Sequence, residues 1–371
     1  MERKIDTNRK NNIDIAKGIL ILLVVIGHSI KVNYGFGTFA DKVIYSFHMP
    51  AFFIISGFLM FKTIGNNEII WTLKKSVQRV FPIIIFGSLY YLFSYFSYQS
   101  NGFSCLDGYS NNYSFLGYWF RFMFPSGMGD SLWFIWTLMW CGSIIAVFRL
   151  LSKKYNFERK YEIFAYLFIC AVICCVKINS NNSFGVEEIQ WVLPFFLCGY
   201  LISMNIDSLK KISMYVLVIM SIGFIYLCTL SGFGANPNST NASVWLWNMS
   251  LSDSIIRIAS VMCGTALIVL LSNAVTKIKY VETFLSYCGK KSLVIYVVHP
   301  LLLAMPFMSM GLDRTIVGTI ISVSVSLLIG YLLYRVWIFR AFIFGEWEDI
   351  KKEKHLNKIF IAVRRKLESV S

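Results

Sequence analysis

The chain has 371 residues, of which 56 % are apolar and 15 % charged, with a mean hydropathy of +0.60. Soluble domains carry about 25 % charged residues, so this chain has too little polar surface for a water-facing globule, and its 17 % aromatic content excludes disorder. The net charge of +15 is spread between apolar runs rather than gathered on one basic face, which argues for topology-setting loop charges and against a nucleic-acid partner.

The expected class is all-α, a polytopic membrane helix bundle. Ten apolar segments follow in chain order, at 13–30, 43–61, 80–98, 132–150, 161–176, 189–204, 212–230, 255–271, 292–308 and 315–337. Each reaches across a bilayer, with 161–176, 189–204, 255–271 and 292–308 the short ones. Barrel strands would alternate polar and apolar residues in runs about half as long, so helices are expected. Placing the N-terminus, alternate loops and the C-terminal tail on one side puts 29 of the 35 Lys and Arg there. Lys31, Lys42, Arg121, Lys177, Arg257 and Arg314 fall on the other. The positive-inside rule then makes both termini cytoplasmic. Residues 1–340 read as the membrane domain and 341–371 as a basic cytoplasmic tail. The first run lacks a cleavage pattern and is expected to stay as a span of a multi-pass protein of the cell (plasma or inner) membrane. The outer loops 99–131 and 231–254 are polar and aromatic-rich, which suits a sugar-like ligand and equally suits interfacial anchoring. Most of the nine cysteines lie inside apolar runs, with no CxxC pair and no zinc-like Cys/His spacing. Neither a disulfide framework nor a metal is expected.

The first span holds the densest chemistry. Asp14, Lys17 and His28 fall on one helix face, because eleven residues at about 100° each make three turns plus about 20°. Lys17 and His28 are about 16 Å apart along the axis, roughly half the hydrocarbon core. An ionisable ring at that depth is a functional candidate; the competing reading is a packing hydrogen bond to a neighbouring helix. The face suits a long substrate that is anionic at one end and reacts at the other. In the second span His48 precedes Pro50, at a depth similar to that of His28, so the two imidazoles are placed to face one cavity. A helix-entry role beside Pro50 is the other reading. His299 precedes Pro300 in the ninth segment, where a freed backbone carbonyl makes a structural bond as apt as a functional one. At the start of the third span Lys75 and Arg79 lie one turn apart, placed to converge on a phosphate or to signal topology.

These stretches resemble acyltransferase family 3, integral-membrane O-acyltransferases that modify surface glycans. The resemblance rests on the Lys17-to-His28 spacing, Phe47-His48-Met49-Pro50 through Ser56-Gly57, and Arg79 with Pro82. Leu132-Trp133-Phe134, Leu193-Pro194-Phe195-Phe196 through Gly199-Tyr200, and Ser292 through Tyr296 to His299-Pro300 extend it, so that it runs from about Asn12 to about Trp337. Where the family often carries Arg eleven residues before the His, this chain has Lys17, as in the fucose-acetylase-like branch. Where it often carries Arg three residues before Arg79, this chain has Ser76. A member of this length is expected to lack the extracytoplasmic esterase-like domain that some carry.

The resemblance implies transfer of a short acyl group, usually acetyl, from acyl-CoA to a sugar hydroxyl, with acyl-CoA as co-substrate and no bound cofactor. On that reading His28, with Lys17 and Asp14, forms the catalytic set. Lys17, Lys75 and Arg79 meet the acyl-CoA phosphates, and His48, Trp133 and Arg257 meet the glycan acceptor. The rival class is a transporter or flippase for a polar lipid or small solute, which also needs buried His and Arg. Such proteins often show two repeated halves, and no repeat is visible in this sequence.

Overall fold

A computed structural model describes residues 7–34, 38–63, 68–101, 119, 132–175, 186, 188–205, 214–229, 251–303 and 314–342. Among these the elements are helices α1 (Thr7–Tyr34), α2 (Phe39–Thr63), α3 (Glu68–Asn101), α4 (Trp133–Lys154), α5 (Arg159–Cys175) and α6 (Ile189–Met204). They continue with α7 (Met214–Cys228), α8 (Leu251–Val275), α9 (Lys279–Lys290), α10 (Ser292–Leu303), α11 (Arg314–Arg335) and α12 (Trp337–Phe342). No strand occurs among the described residues. Each of the ten apolar segments carries a helix, since a chain this poor in polar side chains satisfies its backbone within the segment.

Among the described residues six stretches are long and apolar enough to cross a membrane: Asn11–Tyr34, Phe39–Phe61, Ile69–Phe96, Trp133–Lys154, Ser254–Val275 and Thr315–Arg335. The apolar helices α6, α7 and α10 are shorter. The outer helices leave large apolar side chains uncovered, among them Phe164 and Phe168 of α5, Tyr215, Ile219 and Ile225 of α7, and Ile316 and Ile320 of α11. Such a surface suits lipid rather than water. The outer loops read from the sequence lie almost wholly outside the described residues, as does the tail beyond 342. Besides the helical residues at their edges, 99–101 and 251–254, Trp119 is described, and its indole N–H donates to the Ser88 hydroxyl at 3.0 Å.

Helix α1 is the hub, packed on α2, α8, α9, α10 and α11. Helix α2 carries the core onward through α6, α8 and α4. Helix α3 packs on α4, α10 and α12 instead, while α7 lies on α8 and α5 covers α6 and α4. Two crossings are so close that only glycine fits. A Cβ on Gly57 of α2 would stand 1.9 Å from the Phe196 carbonyl oxygen, and one on Gly199 of α6 would stand 1.8 Å from that of Ile54. Gly18 of α1 and Gly289 of α9 make the second pair, at 2.0 Å from Leu285 O and 1.8 Å from Asp14 O. Small residues let backbones approach where apolar burial alone gives helices no reason to associate in lipid.

Helix α9 is absent from the ten-segment reading. Its flanking lysines, Lys277, Lys279, Lys290 and Lys291, read as loop charges. The helix nevertheless buries Leu285, Ser286, Cys288 and Gly289 against α1. Polar pairs fix its register: Ser286 Oγ donates to Asn11 Oδ1 at 2.7 Å, and Asn11 also donates to Glu282.

Candidate active site

The Gly18–Gly289 crossing sets one end of the candidate site. Here Lys17 Nζ lies 3.5 Å from Asp14 Oδ1, with the side chains 24 % and 13 % exposed. One helix turn separates the pair, so the contact is local. Asn12 anchors the same turn by donating to Asn273 Oδ1 of α8 at 2.8 Å. Asp14 and Lys17 thus behave as one unit, held where α1 meets α8 and α9.

Three turns along α1, His28 enters a cluster of rings. The ring of His299 is 5.2 Å away, centroid to centroid, and that of Tyr45 is 6.1 Å away and edge-on. Tyr45 in turn meets His48 edge-on at 4.9 Å. The two imidazoles expected to face one cavity, His28 and His48, therefore both abut Tyr45, and the imidazole ring against His28 is that of His299. Gly27 makes the arrangement possible: a Cβ there would stand 3.1 Å from Tyr45 Cε2 and 3.2 Å from Ile44 Cγ2. One turn beyond His28, Lys31 Nζ sits 5.9 Å from the Tyr45 ring centroid. Ser29 ties this level to α11 by donating to the Thr315 carbonyl at 3.1 Å.

His48 and His299 are oriented alike. Each donates from Nδ1 to the carbonyl four residues back, Ile44 at 2.7 Å and Ile295 at 2.9 Å. That choice leaves Nε2 of the neutral ring as an acceptor. Both histidines are buried near a helix-interior proline, His48 two residues before Pro50 and His299 immediately before Pro300.

Trp133 is buried at the start of α4 in a line of rings leading to this cluster. The steps are Trp191 to Trp133 at 5.9 Å, Trp133 to Phe134 at 6.2 Å, Phe134 to Tyr296 at 5.3 Å and Tyr296 to His299 at 6.2 Å. Arg257 is half-buried early in α8, seven residues before Gly264, against which the Phe47 ring packs with Cγ 2.6 Å from a hypothetical Cβ.

The remaining cations lie apart from Lys17. Arg79 Nη1 donates to the Leu138 carbonyl of α4 at 3.0 Å, beside Gly142 and the Trp71 ring. Lys75 is half-buried one turn earlier on α3. No extensive interface joins α1 to α3; α10 packs on both, and the Tyr90 hydroxyl fixes α3 to it by donating to the Val297 carbonyl at 2.6 Å.

Of the residues in this ring cluster, the sequence points to His28 and His48 and leaves His299 open. Tyr296 enters there only within the Ser292-to-His299 stretch and Lys31 only as an outer-side charge, and Tyr45 is not singled out. Tyr45 precedes His48 by one turn and Tyr296 precedes His299 by one turn, the only local signals for either.

An all-helical bundle with six membrane-length helices and an imidazole cluster in its interior defines a polytopic membrane protein with a buried polar site. Residues 10–335 match the model of the acyltransferase domain of acyltransferase family 3, and the chain belongs to that family. It is also similar to Nodulation protein NolL of Sinorhizobium fredii (strain NBRC 101917 / NGR234). The two are 26 % identical over 215 residues, covering 54 % of this chain and 50 % of that protein. A second similarity, to Nodulation protein NolL of Mesorhizobium japonicum, is 39 % identity over 103 residues, covering 20 % of this chain and 27 % of that protein. The chain spans about half the length, or less, of the curated relatives it matches.

Proposed function

We propose that this chain is a membrane O-acyltransferase that moves an acyl group, by preference acetyl, from cytoplasmic acyl-CoA to a sugar hydroxyl of a cell-surface polysaccharide or its lipid-linked precursor. The observation that carries the reading is the face of α1: an ion-paired lysine at one end and, about 16 Å along it, an imidazole set among buried rings. Membership of an acyltransferase family supplies the reaction class.

An alcohol is a weak nucleophile and needs a base at its proton. His28 takes that proton as the sugar oxygen forms its bond to the thioester carbonyl. The C–S bond then breaks, and the departing thiolate recovers the proton from His28. Lys17, steadied by Asp14, and the α3 cations Lys75 and Arg79 meet the phosphates of acyl-CoA, and the pantetheine arm carries the thioester toward His28. His48, Trp133 and Arg257 position the acceptor, Trp133 as a packed wall of the ring line rather than an open stacking platform. The protein crosses the cell membrane ten times, with both termini cytoplasmic and residues 341–371 as a basic cytoplasmic tail.

Thiol release by purified protein tests this against the transporter reading. Wild type supplied with acetyl-CoA and a glycan extract from cells lacking the gene is expected to release free CoA thiol and to place the acetyl group on the glycan. Acetyl-CoA that stays intact under those conditions, while a solute or lipid crosses proteoliposomes, would establish the rival.

A further inference from the structure

Two buried polar atoms near His28 have no hydrogen-bond partner: Nε2 of His299 and the hydroxyl of Tyr45. His299 is 1 % exposed. The hydroxyl end of Tyr45 lies over Gly27, the residue before His28, with Cζ 3.7 Å from a hypothetical Cβ there. Native structures pair nearly all buried polar groups, because an unpaired one in a low-dielectric interior is costly. Other buried hydroxyls, such as those of Ser203, Thr319 and Ser326, share that state; these two differ in bordering one imidazole, where groups that arrive with the substrates can pair them.

The chemistry of each atom limits what it does. His299 already donates through Nδ1 to the Ile295 carbonyl, so its neutral ring offers Nε2 as an acceptor only. Tyr45 has a hydroxyl proton to give. His28 is the ring that touches both.

We propose that Tyr45 is a catalytic residue that donates a hydrogen bond to the oxyanion of the acyl-transfer intermediate, and that His299 is a positioning residue that accepts the N–H of His28. The inference rests on the acyl-transfer reading of His28 and adds the two groups that reading lacks. With one nitrogen of His28 bonded to His299, the other is presented as base. It takes the acceptor hydroxyl proton while the C–O bond forms. The carbonyl oxygen gathers negative charge against the Tyr45 hydroxyl, the C–S bond breaks, and the thiolate takes the proton from His28. Atoms and charge balance between thioester and alcohol alone. In the substrate-free geometry Nε2 of His299 is unbonded; catalytic hydrogen bonds commonly tighten only in the Michaelis complex. Gly27 borders the same device, since a Cβ there would stand 3.1 Å from Tyr45 Cε2 and press on the phenol.

The test uses the full chain in detergent, acetyl-CoA as donor, the glycan extract as acceptor, and His28→Ala as reference. Tyr45→Phe deletes one oxygen that no described residue bonds. Its thermal midpoint is expected to hold or rise while kcat falls about 10²–10³-fold and the KM for acetyl-CoA stays near wild type. A purely packing role leaves kcat unchanged. At position 299 the two amides separate the nitrogens. His299→Asn keeps a donor where Nδ1 is and loses Nε2; His299→Gln places an acceptor near Nε2 and loses the Ile295 bond. His299→Gln is expected to keep activity within about tenfold and His299→Asn to lose about 10²-fold. A structural role through Ile295 reverses that order. Wild-type kcat in Tyr45→Phe, or His299→Asn outperforming His299→Gln, overturns the inference. Activity in His28→Ala sinks the acyl-transfer reading itself. An inactive His28→Ala beside fully active Tyr45 and His299 variants removes only the present inference.

Discussion

At the scale of single residues, the α3 cations separate two effects that sequence position merges. Arg79 donates to the Leu138 carbonyl and so helps to join α3 to α4, whereas Lys75 is half-buried one turn away. Both are assigned to the acyl-CoA phosphates, where one charge-assisted contact is worth about 1.5–3 kcal/mol. Lys75→Ala is therefore expected to raise the KM for acetyl-CoA about 10- to 100-fold with little change in thermal midpoint. Arg79→Ala should raise KM and lower the midpoint together, because it also removes a hydrogen bond between α3 and α4. Unchanged acetyl-CoA dependence in both variants would leave them as topology signals.

The first helix shows at the same scale what a sequence tells and what it hides. The shared face of Asp14, Lys17 and His28 follows from the 3.6-residue period alone, and the 3.5 Å Asp14–Lys17 contact sits on it. The partner of His28 does not follow from any period. His299 is more than two hundred residues away in sequence, and only the packing of α1 on α10 brings the rings together. Tyr45 was hidden for a similar reason: its place over Gly27 depends on the α1–α2 crossing.

At the scale of elements, the apolar runs were legible because hydropathy over 15 to 25 residues is a strong local signal. Helix α9 was not, because its 12 residues mix lysine, glutamate and aromatics, and its burial depends on the glycine contact with α1. Glycine contacts also make a stability prediction. An alanine methyl at Gly199 would collide with the Ile54 backbone, which cannot rotate aside, whereas at Gly223 the nearest atom is Cys263 Sγ at 3.8 Å. Gly199→Ala is expected to destabilise the protein by about 1–3 kcal/mol or more, and Gly223→Ala to be nearly neutral or slightly stabilising. Thermal scans in detergent compare them; equal midpoints would contradict the packing described for α2 and α6.

At the scale of the whole molecule, the proposed arrangement across the membrane rests on the distribution of 35 basic residues. If both termini are cytoplasmic, as proposed, Cys105 belongs to an outer loop and α9 to the cytoplasmic side. Cys288 is fully buried and a poor reporter, whereas Tyr280 at the start of α9 is 89 % exposed. A membrane-impermeant maleimide is expected to modify Cys105 in intact cells. It should modify a chain carrying Tyr280→Cys and Cys105→Ser only after permeabilisation. Labelling of that variant in intact cells would invert the proposed topology and place Lys17 on the wrong side to meet cytoplasmic acyl-CoA.

The central claim is that His28 is the base of an acyl transfer carried out inside the bundle. Its most direct test is product formation by His28→Ala at saturating acetyl-CoA and glycan acceptor, made on protein that elutes as a single species and still binds acetyl-CoA. General-base catalysis is typically worth about 10²–10⁴-fold, so the account predicts a loss of at least that lower bound with donor binding retained. A well-folded His28→Ala protein that acylates the glycan within a few-fold of wild type would contradict it.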